Sequence, residues 1–331
     1  MDTTPLASTA AKGGNSSTDC PILREYLVPL TAVNGCSLID RNLSLVLSTL
    51  SYIFSPVGIL INLFQIIYML RSSRAWTTIR MHMLNLTFVN IISLLAYLPW
   101  AMYVNTQYNW QLGKAMCICT NFVYYLAETA YLLFTSALSI FTYKAALQPM
   151  TYINLQTEQS AVFFTILMWI LAIAVAVIGG SNTLYVSMDG QFYCGGIVIS
   201  NTTPLSSLGS LIHLFSLQLL IPFLVVIPCY IKIIATLFLS NKRTPPGNRN
   251  NWLKPQAAEI TSFLLFWVFG QLFLILYFII YLTTINCSNV CFWAKLINNV
   301  NEVALFLSAL NVCLCPLTYK LYNRAFHCFS S

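Results

Sequence analysis

The sequence predicts an all-α membrane protein, a bundle of seven transmembrane helices. Three observations carry that prediction. Of 331 residues, 58% are apolar and only 8% are charged, with a mean hydropathy of +0.73, whereas soluble domains carry about 25% charged residues. Seven stretches reach the roughly 20 apolar residues that a hydrocarbon layer of about 30 Å requires. The basic residues gather after the odd-numbered stretches. An ordinary water-soluble enzyme is excluded by composition, and disorder is excluded by the high hydrophobicity. A closed outer-membrane barrel would show short alternating segments, and none is present.

The spans follow in order at residues 43–70, 79–103, 115–145, 160–180, 211–239, 257–285 and 292–321. The first 42 residues are polar and contain Gly13-Gly14-Asn15-Ser16-Ser17 without an apolar cleavable leader. The first span is therefore expected to act as its own insertion signal. This divides the chain into an extracellular segment at 1–42, a membrane domain at 43–321 and a short cytoplasmic tail at 322–331.

Orientation is read from the cations. Arg71, Arg74, Arg80, Lys144, Lys232, Lys242, Arg243, Arg249, Lys254, Lys320 and Arg324 fall on one side; Lys12, Arg24, Arg41, Lys114 and Lys295 fall on the other. The richer side is cytoplasmic by the positive-inside rule, so the N-terminus lies outside at the plasma membrane. The net charge of +7 then reflects topology against an anionic lipid leaflet rather than nucleic-acid binding. Four N-glycosylation sequons, at Asn15, Asn42, Asn201 and Asn286, fall on the predicted outer side. A fifth, at Asn85, lies inside the second span and is expected to stay unmodified.

Seven of the eleven cysteines sit outside or at the outer rim: Cys20, Cys36, Cys117, Cys119, Cys194, Cys287 and Cys291. That compartment permits disulfides. Cys36 joined to Cys287 or Cys291, and a local Cys287–Cys291 loop, are both open from sequence. Cys313 and Cys315 read as packing residues, and Cys328 as a palmitoylation candidate or a free thiol. His82, His213 and His327 are scattered, so no metal site is expected. No cofactor loop, catalytic triad or paired catalytic carboxylate stands out.

Glu128 is the most informative residue. It lies eleven residues beyond Cys117, about 16 Å along a helix, near the middle of the slab. An intramembrane carboxylate faces a cavity or a partner. Tyr124, Glu128, Tyr131, Thr135, Leu138 and Thr142 share one helical face by their spacing of four and three. Two readings stand: an ionised Glu128 meeting a cationic ligand group, or a protonated acid bonded to Tyr124, Tyr131 or another span. Glu302 either attracts cationic ligands or sits at a solvated rim. Trp110, Tyr103, Tyr108 and Trp293 read as interfacial anchors.

Local motifs point further. Asn62 stands in span one; span two reads LNLTFVNIISLLAYLPW, with Asn90 and Pro99; Trp110, Gly113 and Cys117 lead into span three, which ends SALSIFTYKAALQPMTY. Trp169, Pro222, Tyr230, Phe263 and Trp267 follow, and span seven reads LNVCLCPLTYKLYNRAF. In order and spacing these resemble the rhodopsin-like G-protein-coupled receptors over about residues 43–329, loosely those for chemokines and peptides.

The resemblance implies a short amphipathic helix after span seven, an extracellular ligand held in the bundle, and a heterotrimeric G protein inside. It implies a Cys117–Cys194 disulfide pinning the second outer loop. Ligand-pocket candidates are Tyr124, Glu128, Tyr131, Trp267 and Glu302. Switch and coupling positions are Asn62, Asn90, Thr142, Tyr143, Pro222, Tyr230, Asn311, Pro316 and Tyr319. Several of these depart from the family. Phe141-Thr142-Tyr143 stands for Asp-Arg-Tyr, Asn90 for aspartate, Cys315 for the asparagine before Pro316, and Phe269 for a proline. Without that proline span six should be straighter. Asn90, Tyr131 and Cys315 replace polar groups of the family's sodium site. These losses also fit a non-signalling decoy, scavenger or partner-modulating protein on the same fold.

Overall fold

The computed structural model describes residues 40–71, 77–155, 157–181, 185–188, 190–195, 220–243, 260–268 and 302–313, with short pieces at 26–27, 32–33, 36–37, 183, 197–198, 272, 295–296 and 299–300. The expectations for Asn15, Asn201, Asn286, Cys287, Cys291, Trp293, Cys315, Pro316, Tyr319, Cys328 and the terminal amphipathic helix lie outside these residues, as do the side chains of Cys36 and Trp267.

Helix α1 spans Arg41–Arg71. Asp40 starts it, its Oδ1 accepting from the backbone N–H groups of Asn42 and Leu43 at 3.2 and 3.3 Å. Its buried face is Ser44, Ser48, Ser51, Ser55, Gly58, Asn62, Gln65 and Met69, at steps of three and four. Val46, Ile53, Leu60, Phe64 and Ile67 face outward, exposed. Small and polar side chains inside with apolar ones outside is the reverse of a soluble helix. It is what lipid demands, because tails solvate the apolar face and small residues let helices approach.

Helix α2, Thr78–Asn105, begins at Thr77, whose hydroxyl accepts from the Arg80 backbone N–H. The Arg80 guanidinium reaches back to the Met69 carbonyl on α1. Helix α3, Gly113–Leu147, is the central element and packs against α2, against α5 (Glu158–Ser181) and against α6 (Ile227–Arg243). Between α3 and α5 lies the short helix α4, Pro149–Leu155, which the span count did not foresee. Helices α1, α2, α3 and α5 are each long and apolar enough to cross a membrane.

The fifth span enters as a π-helical turn, Pro222–Val226, before α6. Pro222 has no N–H, and the Ile227 N–H reaches the Pro222 carbonyl five residues back. Residues Phe263–Val268 are also π-helical. A wider turn thus stands immediately before Phe269, and π turns are among the places where helices bend. Helix α7, Glu302–Cys313, completes the described elements.

Two-residue and four-residue strands decorate the otherwise helical fold. Tyr26–Leu27 (β1) pairs with Ile197–Val198 (β6), Ala32–Val33 (β2) with Cys36–Ser37 (β3), and Tyr185–Met188 (β4) with Gln191–Cys194 (β5), all antiparallel. The largest buried cluster lies between α2, α3, α5 and α6 around Leu86, Phe134, Leu138, Ile233 and Phe263. A second, around Tyr103, Tyr108, Trp110 and Tyr193, sits beneath the β4–β5 hairpin.

Candidate functional site

At one end of the bundle Cys117, in the second turn of α3, is disulfide-bonded to Cys194 at the end of β5. The hairpin is thereby held over the helices. The Tyr103 hydroxyl accepts from the Cys194 backbone N–H at 3.2 Å, and the Trp110 N–H donates to the Phe192 carbonyl at 2.7 Å. Tyr103, Tyr108 and Trp110 are 1–2% exposed. This corrects the reading of these rings as lipid-interface anchors. They stack edge to face with one another and form the floor under the hairpin. The Trp110 indole N–H is spent on the Gly113 carbonyl at 2.8 Å.

Beside this floor is a cavity of about 160 Å³. Its wall is aromatic: Tyr97 and Trp100 from α2, Trp110 from the loop, and Tyr124 and Tyr125 from α3. Ala96, Thr120, Asn121, Cys194, Gly195 and Leu305 complete it. Asn121 donates its amide N–H to the Cys117 carbonyl at 2.9 Å and lies 3.4 Å from the Cys194 sulfur. A Cβ at Gly195, whose φ is left-handed at +87°, would lie 3.4 Å from the Asn121 Oδ1.

Of the sequence candidates, Tyr124 lines this cavity and is hydrogen-bonded to Glu128 one turn deeper. Glu302 departs from the rim reading. It is 4% exposed, accepts from the Ser44 hydroxyl at 3.0 Å and from the Tyr108 hydroxyl at 2.6 Å. It thus ties α7 to α1 and to the loop before α3. Tyr108 reaches it from a backbone held left-handed at both Gln107 and Tyr108, with φ of 57° and 59°. Burial pushes the Tyr108 phenol well above its usual range, so it remains a donor.

Tyr97, Trp100, Asn121 and Tyr125 were not singled out from sequence. Asn121 and Tyr125 carry a usable signal, because they follow Cys117 at steps of four. Tyr97 and Trp100 do not, because an aromatic near a span end is ordinarily a lipid anchor.

Deeper in the bundle, Tyr131 is 4% exposed and accepts from the Asn311 amide at 2.6 Å. Asn62 donates to the carbonyls of Gly58 and Val312 at 2.9 and 3.2 Å, and its Oδ1 accepts from Asn90 at 3.2 Å. An amide network therefore joins α1, α2 and α7 where an aspartate would otherwise sit. Cys313 is buried there, its thiol 3.4 Å from the Phe54 carbonyl, in keeping with a packing role.

At the opposite end Thr142 is fully buried, and its hydroxyl has no partner among the described residues. His82 lies in the same region, stacked on Phe141 at 5.0 Å and near Phe134 at 6.0 Å. Tyr143 packs against the main cluster, Pro222 is buried, and the Tyr230 hydroxyl is 2.9 Å from that of Thr261 in span six. Asn85 donates to the Met81 carbonyl and accepts from the Trp169 indole at 3.0 Å, so both ends of its amide are engaged inside the bundle. Among the described residues no group of three or more metal-ligating side chains occurs.

The family described as 7 transmembrane receptor (rhodopsin family) matches residues 61–319. The chain belongs to that family. It is accordingly a multi-pass plasma-membrane receptor with the seven-helix bundle, and not an enzyme. Among similar proteins, a probable G-protein coupled receptor 34 from Pan troglodytes is 23% identical over 296 residues, covering 88% of this receptor and 76% of that protein. A C-C chemokine receptor type 8 from Macaca mulatta is 23% identical, covering 92% and 83%. A cysteinyl leukotriene receptor 1 from Mus musculus is 25% identical, covering 85% and 79%. These similarities extend well beyond any single motif, so the departures at Thr142 and Asn90 sit within an otherwise continuous receptor sequence.

Proposed function

We propose that this receptor binds an extracellular ligand in the cavity beside the Cys117–Cys194 disulfide and signals to heterotrimeric G proteins from the opposite end of the bundle. The observation that carries the reading is the aromatic cavity walled by α2, α3 and α7 and capped by the β4–β5 hairpin. Below it, Glu128, the Tyr131–Asn311 bond and the Asn62–Asn90 pair form successive polar layers toward the other end. Such layers give span movements at the cavity a physical route. In this arrangement residues 1–42 are extracellular, 43–321 form the receptor domain and 322–331 the cytoplasmic tail, with membrane lipid around the bundle. Asn15, Asn42, Asn201 and Asn286 are then the glycosylation candidates, and Cys328 a lipidation candidate.

A second reading, a decoy or partner-modulating receptor, is favoured by Thr142. A short, buried hydroxyl has neither the reach nor the charge of an arginine for contacting a G protein. One experiment separates the two: dissociation of each G-protein class measured in cells, with surface display of the receptor quantified in parallel. Constitutive or ligand-driven dissociation supports signalling, and silence in every class at normal surface density supports the decoy.

A further inference from the structure

We propose that the short helix α4 is a latch: it holds the cytoplasmic ends of α2 and α3 in a packing that leaves Thr78, His82 and Thr142 without hydrogen-bond partners, and its release favours an open end in which those groups are hydrated. This deepens the signalling reading above and rests on its placing that end inside the cell.

Four polar atoms carry the tension. Thr78 Oγ1, both ring nitrogens of His82 and Thr142 Oγ1 have no partner among the described residues, and the three residues are at most 2% exposed. A buried donor or acceptor left unpaired costs the full desolvation of that group. Burial does not impose this on its own. On the same two helices Thr87, Ser136 and Ser139 are buried too, and each donates to the carbonyl four residues back at 2.8 Å. Thr142 has the Leu138 carbonyl at that separation and leaves it unused. His82 is walled by rings. It stacks on Phe141 at 5.0 Å and lies 6.0 Å from Phe134, while Phe141 meets Phe164 of α5 edge to face at 6.0 Å. Rings offer its nitrogens no acceptor of carbonyl strength.

What fastens this packing is α4. Tyr152 is hydrogen-bonded to Thr77, the residue that caps α2 and immediately precedes Thr78. It also packs against the main buried cluster. Its neighbours Met150 and Ile153 are turned outward, 75% and 61% exposed. Tyr152 is therefore the inward anchor among the described side chains of α4. One phenol ties the short helix to the start of α2, beside the groups that gain most from water. Moving α4 away breaks that bond and opens the start of α2 to solvent, where a hydroxyl or an imidazole finds partners at once.

The test uses the purified full-length receptor in detergent. His82→Phe keeps a ring against Phe141 and removes both nitrogens; Thr142→Val keeps the shape and removes the hydroxyl. Each is expected to raise the unfolding temperature by about 2–4 °C. Thr87→Val, which removes a hydroxyl already bonded, should give no rise. Tyr152→Phe should speed amide hydrogen exchange in α4 and the first turns of α2 by about three- to tenfold. Adding His82→Phe to it should slow that exchange again, a recovery that a merely structural tyrosine would not show. The proposal is overturned by a rise in neither His82→Phe nor Thr142→Val, as when ordered water already satisfies both groups. It is equally overturned by an equal rise in Thr87→Val, by unchanged exchange in Tyr152→Phe, or by faster exchange that His82→Phe does not slow. Failure of the signalling reading looks different: these shifts would persist in the purified receptor while no G protein dissociates in cells.

Discussion

At the scale of single residues, this receptor's chemistry lies in buried polar groups, some bonded to one another and some without a partner among the described residues. The Tyr131–Asn311 bond illustrates the stakes. Asn311 is fully buried and its Oδ1 has no partner among the described residues, so its amide N–H depends on Tyr131. Tyr131→Phe should leave that donor unsatisfied and cost about 1–3 kcal/mol. The unfolding temperature of the purified receptor is expected to fall, and an unchanged value would mean the bond contributes nothing. Thr142 poses the opposite case. If the missing arginine limits coupling, Thr142→Arg should raise basal G-protein dissociation per receptor at the surface. An unchanged signal would show that coupling is limited elsewhere.

Sequence reasoning at this scale singled out Glu128 and misjudged groups nearer the disulfide end. Glu128 was legible because a carboxylate in mid-membrane is costly and needs a reason. Glu302 was misread because its partners, Ser44 and Tyr108, are 258 and 194 residues away in sequence. No local pattern announces a contact of that range. Tyr103, Tyr108 and Trp110 were assigned to the lipid interface because tryptophan and tyrosine are enriched there. Only the folded hairpin shows that they are covered.

At the scale of elements, close approach and covalent pinning decide the architecture. A Cβ at Gly58 would collide with the Cys313 sulfur on α7 and lie 2.9 Å from Leu94 Cδ1 on α2. Gly58→Ala should therefore lower thermal stability, and adding Cys313→Ala should recover part of the loss. Equal stability of the single variant and the wild type would contradict tight packing of α1 there. The disulfide holds the hairpin against α3, so Cys117→Ala or Cys194→Ala should impair delivery to the cell surface, as read by antibody staining of intact cells. Normal delivery of both variants would contradict a structural role. The long helices were legible almost to the residue, since α1 begins at Arg41 and α2 ends at Asn105 against expected limits of 43 and 103. Helix α4 was not, because seven residues without a long apolar run leave no span signal. The π-helical turns were not legible either, because they preserve hydrophobicity while changing only the winding.

At the scale of the whole molecule, lipid sorts the residues. Inverted amphipathicity of α1, cations concentrated on one side in the sequence and a cavity at the disulfide end each agree with the proposed topology, in which ligand arrives from outside and coupling happens inside. The most direct measurement of that topology uses a receptor with different epitope tags at its two termini, stained in intact and in permeabilised cells. The N-terminal tag should be labelled on intact cells and the C-terminal tag only after permeabilisation. Labelling of both tags on intact cells, or of neither until permeabilisation despite surface biotinylation of the receptor, would contradict it.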